Sequence, residues 1–197
     1  VKSTRTAIFR RLEALYARMG QGYEAAARGT GFTCSGCADN CCTSYFQHHT
    51  YAEWLYFFKG LEALPAPRRE EYMDRARACV RQTQEALLRG ERPAVMCPVN
   101  DDGLCGMYAH RLMICRLHGV PHVLAGRDGV PQAYPGCHRF PAPAGAGAAP
   151  APLDRTPLYR DLARIEMDLL GARLRALPRV NLTLAEMMVQ GSPRLTP

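Results

Sequence analysis

The stretch Cys34-Ser35-Gly36-Cys37-Ala38-Asp39-Asn40-Cys41-Cys42 places four thiols within nine residues, the last two adjacent. Cys34 and Cys37 have the spacing with which one tight turn presents two sulfurs to a single metal ion. Gly36 inside that turn permits a left-handed backbone and close approach of an amide to sulfur. Cys41 lies four residues on, consistent with a second turn. Adjacent side chains diverge in both helix and strand, so Cys42 does not point where Cys41 points. The pair therefore argues for two metal ions, or two irons of one cluster, served by one backbone segment. The fold expected around it is mainly α: helices packed on an irregular, loop-rich cysteine metal centre, with at most one short β-hairpin.

Working outward, a second cysteine-bearing region follows a long helical insert and holds Cys97, Cys105, Cys115 and Cys137. Glycine and proline punctuate residues 93–140 heavily, which makes them mostly loop. One strand pair is expected there, Val123-Leu124 against Val130–Gln132 across Arg127-Asp128-Gly129. Met107–Met113 can form a helical turn or two. None of the four spacings alone is a zinc ribbon or a ferredoxin run. The count is what informs. The ninth cysteine, Cys79, sits on the apolar stripe of a helix and reads as a small buried hydrophobe. Eight thiols remain, enough for two four-coordinate sites or one multinuclear cluster. Sulfur donors select zinc, iron–sulfur or cuprous copper over magnesium or calcium.

Six histidines accompany them. His48, His49 and His138 lie near cysteines and are able to replace a thiol; His110, His118 and His122 surround Cys115. Surface or supporting roles are the ordinary reading of each, with His118 and His138 best placed to orient a ligand from behind. Asp39, Asp101 and Asp102 read as turn residues.

The insert is helical. Ile8, Leu12, Leu15, Tyr16, Met19 and Tyr23 predict a helix over 4–28, with Gly20 and Gly22 able to kink it and Gly29-Thr30-Gly31 stopping it. Thr50 and Glu53 form a capping-box signature ahead of an aromatic helix over 51–63 whose Tyr51, Trp54, Leu55, Phe57 and Phe58 belong in a core. Pro67 and Glu70-Glu71 suit the start of a helix over 68–89, striped by Tyr72, Ala76, Cys79, Val80, Thr83 and Leu87 and capped by Gly90. Residues 141–152 are an Ala/Pro/Gly run that cannot bury enough apolar surface to fold. A last long helix starts at Thr156-Pro157, is striped by Leu158, Leu162, Ile165 and Leu169, and ends by Pro178. Thr183 and Glu186 open a short terminal one. The expected organisation is a metal-binding domain over 1–140, a linker over 141–153 and a helical segment over 154–197 packing on that domain.

The chain has 197 residues, long enough to fold on a hydrophobic core without cross-links. Residues 1–30 lack the apolar run of a signal peptide, and no stretch is apolar enough to span a bilayer. Clustered cysteines in a reducing compartment favour metal over disulfides, so a soluble, cytoplasmic protein is expected. The net charge of +7 counts every thiol as neutral, and thiolate ligation lowers it. The arginines are dispersed, occurring at most in pairs such as Arg10-Arg11 and Arg68-Arg69. Without a dense basic stripe, nucleic acid is not the favoured partner. A protein partner fits the exposed helix faces.

Cys34 to Cys42, then Cys97-Pro98, Gly103-x-Cys105-x-x-Tyr108-x-x-Arg111 and Cys115-Arg116, resemble the YkgJ-type cysteine-cluster family across roughly residues 30–140. Its members are described as zinc- or iron-chelating proteins, and the pattern also occurs in flagellin lysine N-methylases. The sequence departs from the family where Leu112, rather than proline, follows Arg111. The resemblance implies Cys34, Cys37, Cys41, Cys42, Cys97, Cys105, Cys115 and Cys137 as metal ligands. It also implies Tyr108, Arg111 and Arg116 as supports that bond the sulfurs or balance their charge. The expected function is a metal-binding protein holding iron–sulfur, slightly preferred, or zinc. The alternatives are an iron–sulfur enzyme or electron-transfer component related to protein methylation, and a zinc-dependent adaptor for nucleic acid or protein. Against the methylase, no strand leads into a glycine-rich turn of the kind that binds a nucleotide.

Overall fold

Thr4 Oγ1 accepts the Ala7 amide at 3.2 Å, and from that cap the chain runs as one helix, α1 (Arg5–Ala27). The computed structural model describes residues 4–34, 37, 40–126, 128–141 and 150–196. Six helices follow in order: α1, α2 (Tyr51–Glu62), α3 (Ala66–Leu88), α4 (Met113–Leu117), α5 (Thr156–Leu170) and α6 (Leu184–Gln190). Helix accounts for 53% of residues and strand for 9%, so the protein is mainly α with small sheets. It divides into two compact units, one of Val1–Cys34 with Met113–Leu169, the other of Ser35–Leu112 with Leu170–Pro197. Neither unit is a continuous stretch such as 1–140. The expected C-terminal segment is shared between them, α5 to the first and α6 to the second.

In the first unit α1 buries Ile8, Leu12, Leu15, Tyr16 and Met19, the stripe its periodicity predicts. Gly20 and Gly22 do not split it. A Cβ on Gly22 would collide with Leu153, so that glycine serves packing. Strands β3 (His122–Ala125) and β4 (Pro131–Tyr134) pair antiparallel, with Leu124 opposite Gln132 as the sequence suggests. A third strand, β5 (Leu153–Asp154), adds to β3 in parallel. Helix α5 buries Leu158, Leu162, Ile165 and Leu169. Exposed pairs Arg11–Asp168 and Arg18–Asp161, both 2.7 Å, tie α5 antiparallel to α1. Their contribution to stability is small. The last long helix is shorter than the end at Pro178 suggested: it stops at Leu170 and gives way to a 3-10 turn over Gly171–Arg175.

The second unit is organised on α2, of whose residues only Lys59 and Glu62 are exposed. The Thr50 hydroxyl caps it, accepting the Glu53 amide and donating to the Glu53 carboxylate. Trp54 stacks on Tyr51, ring centroids 6.0 Å apart, so the aromatics are core. Gly60 leaves room for the His110 ring, into which a Cβ would run. Helix α3 begins at Ala66, with Pro65 as cap and Pro67 in the first turn. Glu70 and Glu71 lie beyond that turn, so they do not meet the helix's positive end as expected. At its far end the Gly90 amide bonds Leu87 O and the Glu91 amide bonds Ala86 O, a Schellman pairing made possible by φ +72° at Gly90. The buried seam is Tyr72, Ala76, Thr83 and Ala86; Leu87 is exposed, not part of it. Helix α6 packs on α3 and opens with the expected capping box of Thr183 and Glu186.

A second hairpin, β1 (Asn100–Asp101) with β2 (Leu104–Cys105), corrects the expectation of at most one. Two-residue strands carry no periodicity to read. Of the Ala/Pro/Gly run, residues 142–149 lie outside the described residues. No described helix is long and apolar enough to cross a membrane.

Candidate metal centre

In the second unit four of the eight thiols belong to segments that converge on the β1–β2 hairpin. Cys41–Thr43 forms a 3-10 turn capped by Asn40, whose Oδ1 accepts the Cys42 amide at 2.9 Å. The other end of the Asn40 amide donates to Gly103 O at 3.0 Å, which ties the adjacent cysteines to the hairpin tip. The Cys97 amide donates to Cys42 O at 2.9 Å, and Cys97 O accepts the Asn100 amide at 3.0 Å. Asn100 stands opposite Cys105 in the ladder. Cys41, Cys42, Cys97 and Cys105 are thereby gathered by backbone bonds; all four are half-buried, as is Cys37. Ser35, Gly36, Ala38 and Asp39 lie outside the described residues, so the turn expected within the C-x-x-C pair has no structural account.

The Cys42 thiol is lowered to about 6. A hydrogen bond from the Cys41 side chain is the main cause; burial opposes it, and the Asn100 amide and Arg111 charge add to it. Asn100 Nδ2 is buried, and its bond to the Cys42 side chain favours the thiolate form. Arg111 stacks on Tyr108, 4.1 Å from the ring centroid, while Tyr108 is 61% exposed. Tyr108 thus packs on the Arg111 cation, whose charge reaches the Cys42 thiol.

The hairpin is braced from α3. Asp101 accepts bonds from Arg68, Tyr72 and Arg75, and both guanidinium groups lie over the Tyr72 ring. Burial works to raise the Asp101 pKa, but those three donors hold it below the usual carboxylate range. Gly106 is obligatory beside this network, since a Cβ would collide with the Tyr72 hydroxyl and the Asp101 carboxylate. A cavity of about 440 Å³ opens between α3 and the hairpin, with Cys79 and Cys97 both in its wall. Burial pushes the Cys79 thiol up, a bond to Thr83 opposes this, and the Glu186 charge adds to it.

The first unit contains Cys34, Cys115 and Cys137. Cys115 is half-buried on α4, and the next residue, Arg116, lies over the Tyr16 ring at 3.9 Å. The Cys137 amide donates to Gly119 O at 2.8 Å, four residues beyond Cys115. The Arg139 amide reaches the Cys137 sulfur at 3.5 Å, and His138 Nδ1 stands 4.0 Å from it. Phe32 packs on Phe140 with centroids 5.0 Å apart, drawing the exposed Cys34 toward the same loop. Gly119 is crowded by Phe32 and Tyr23. Of the other histidines, His48 is buried, with its backbone bonded to Leu182, and burial foremost lowers it to about 3, aided by the His49 charge. His49 Nδ1 lies 3.3 Å from Val180 O. His110 packs on Tyr56, and His122 stacks on Tyr134. Burial, then the Arg155 charge, lowers His118.

Among the described residues, no three His, Cys, Asp or Glu side chains are arranged to hold a metal ion. The donor chemistry nevertheless fits a soft metal: a lowered thiol, an amide directed at sulfur, and a cation beside it. Asn40 and Asn100 are the supporting residues that sequence reasoning missed. Asn40 carried a signal, since asparagine favours the position ahead of a helical turn; Asn100 carried none beyond its turn-rich surroundings.

No protein-family model, curated protein or solved structure matches the chain significantly.

Proposed function

We propose that this chain is a metal-binding protein whose cysteine thiolates hold iron–sulfur, slightly preferred, or zinc at two places, one in each unit. In the second unit the donors are Cys41, Cys42, Cys97 and Cys105, with Cys37 in the same unit; in the first they are Cys34, Cys115 and Cys137, with His138 available as a fourth. The gathering of the four cysteine-bearing segments on the 100–105 hairpin by bonds from Asn40, Cys97 and Asn100 carries this reading. The resemblance to the YkgJ-type cysteine-cluster family supports it. Thiolate ligation of either metal gives the site soft, charge-dense donors whose electronics the Asn100 amide and Arg111 tune. None of the nine cysteines is in a disulfide, which suits a reducing, cytoplasmic setting.

The test is iron, zinc and labile-sulfide analysis with a visible spectrum on anaerobically purified protein. Coloured protein with iron and sulfide supports the preferred cofactor. Stoichiometric zinc in a colourless preparation removes redox chemistry and leaves a structural or metal-handling role. Protein that takes up neither metal overturns the proposal.

A further inference from the structure

Helix α3 and the β1–β2 hairpin enclose a cavity of about 440 Å³, a volume in the range of small-molecule pockets. One wall is the face of α3 that carries Arg68, Arg75 and Gln82; the other is the chain from Val95 through Cys97 to Asp102. Of the four cysteines whose segments gather on the hairpin, Cys97 lines this space. A molecule seated in the cavity therefore meets that thiol directly.

The charges of the wall suit a carboxylate at one place and an ammonium at another. Asp101 is engaged within the protein, accepting bonds from Arg68, Tyr72 and Arg75. Each guanidinium carries five N–H donors. Arg68 uses them on Glu71 and Asp101, and Arg75 on Glu71, Asp101 and Asn100 O, so among the described residues both keep donors over. Their side chains are 37% and 39% exposed, open to a ligand from solvent. Asp102 is exposed in the same wall, and among the described residues no guanidinium pairs with it. Paired arginine donors recognise a planar carboxylate through parallel N–H bonds.

We propose that this cavity binds a zwitterionic thiol of amino-acid size, with its carboxylate on Arg68 and Arg75, its ammonium toward Asp102 and its sulfur at Cys97. There the thiol acts as an exchange ligand for the metal proposed in the second unit. The exchange rests on the metal-binding reading above; the binding does not. In the exchange the incoming thiol releases its proton, its thiolate replaces that of Cys97 on the metal, and Cys97 takes up the proton. A soft metal accepts either sulfur.

Binding is read on metal-free, full-length protein from the rate at which iodoacetamide alkylates each cysteine, followed by peptide mass spectrometry as S-methyl-L-cysteine is added. This probe keeps the carboxylate and the ammonium and has no thiol to consume the reagent. Alkylation of Cys97 should slow about tenfold once the probe is at about ten times its dissociation constant. Cys115 and Cys137 should be unaffected, and 2-(methylthio)ethylamine, which lacks the carboxylate, should not protect. Ala78→Trp and Gln82→Trp place bulk in the cavity wall and should abolish protection without lowering the urea midpoint. Unprotected Cys97, equal protection by the amine, or protection retained in a folded tryptophan variant overturns the proposal. On zinc-loaded protein, L-cysteine should speed zinc transfer to a chromophoric chelator saturably in wild type and not in the tryptophan variants. Equal acceleration in all of them overturns the exchange. Protein that shows the protection yet takes up neither zinc nor iron sustains the binding site and removes the metal-binding reading.

Discussion

His48 shows how a single residue couples this fold to pH. Its ring is buried and its ionisation falls from the ordinary value of 6.5 to about 3. In the unfolded chain it takes up a proton near pH 6.5, whereas the folded protein refuses one until about pH 3. Unfolding is therefore accompanied by proton uptake across that window, and its contribution to stability is intact above pH 6.5 and lost as pH falls, by about 1.4 kcal/mol per unit. Urea midpoints between pH 7 and pH 4.5 should fall more steeply in wild type than in His48→Gln. Parallel curves would show that the ring is not kept neutral. The backbone bonds to Leu182 survive that substitution, which separates the ionisation from the strand bridge.

At the scale of elements, the β1–β2 hairpin is the piece on which the second unit's thiols depend. Its two central residues, Asp102 and Gly103, have φ +50° and +91°, the pattern of a type I′ turn. Asn100 Oδ1 accepts the Gly103 amide and Asn40 donates to Gly103 O, so the turn also anchors the adjacent cysteines. A side chain at Gly103 meets a backbone region that costs about 1–2 kcal/mol to adopt. Gly103→Val should lower stability by that amount, read from the urea midpoint, and should speed release of the metal proposed at Cys41, Cys42, Cys97 and Cys105. Normal release kinetics in a destabilised variant would mean that the hairpin braces the fold and not the centre. Helix α3 supplies the other support through Arg68, Tyr72 and Arg75 on Asp101, charge-assisted bonds stronger than neutral ones.

For the whole molecule, the partition of the cysteines between two units gives a pattern that metal analysis can read. Cys42→Ser should lose the metal proposed for the second unit and Cys137→Ser the one proposed for the first, each keeping the other. Cys79→Ser should keep both. Stripping of metal by Cys79→Ser alone would sink this partition, because Cys79 shares a cavity wall with Cys97 and would then be a ligand in its place. Much of this arrangement was legible in the chain. The helices could be read because their signals are local: the stripes of α1 and α5, the Thr50 cap of α2, the Gly90 stop of α3 and the Thr183–Glu186 box of α6. The end of α5 misled, since Pro178, the proline expected to end it, lies beyond Leu170, where the α-helix gives way to a 3-10 turn.

The sequence alone determined the thiol count, the mainly α character and the β3–β4 pairing, since composition, capping and periodicity act over a few residues. Tertiary structure decided which unit each cysteine joins, that Asn40 and Asn100 serve the 41–42 pair, and that Arg155 reaches Leu117 across 38 residues. Those contacts form only when distant segments pay the loop-closure entropy of meeting, and no local pattern records where they meet.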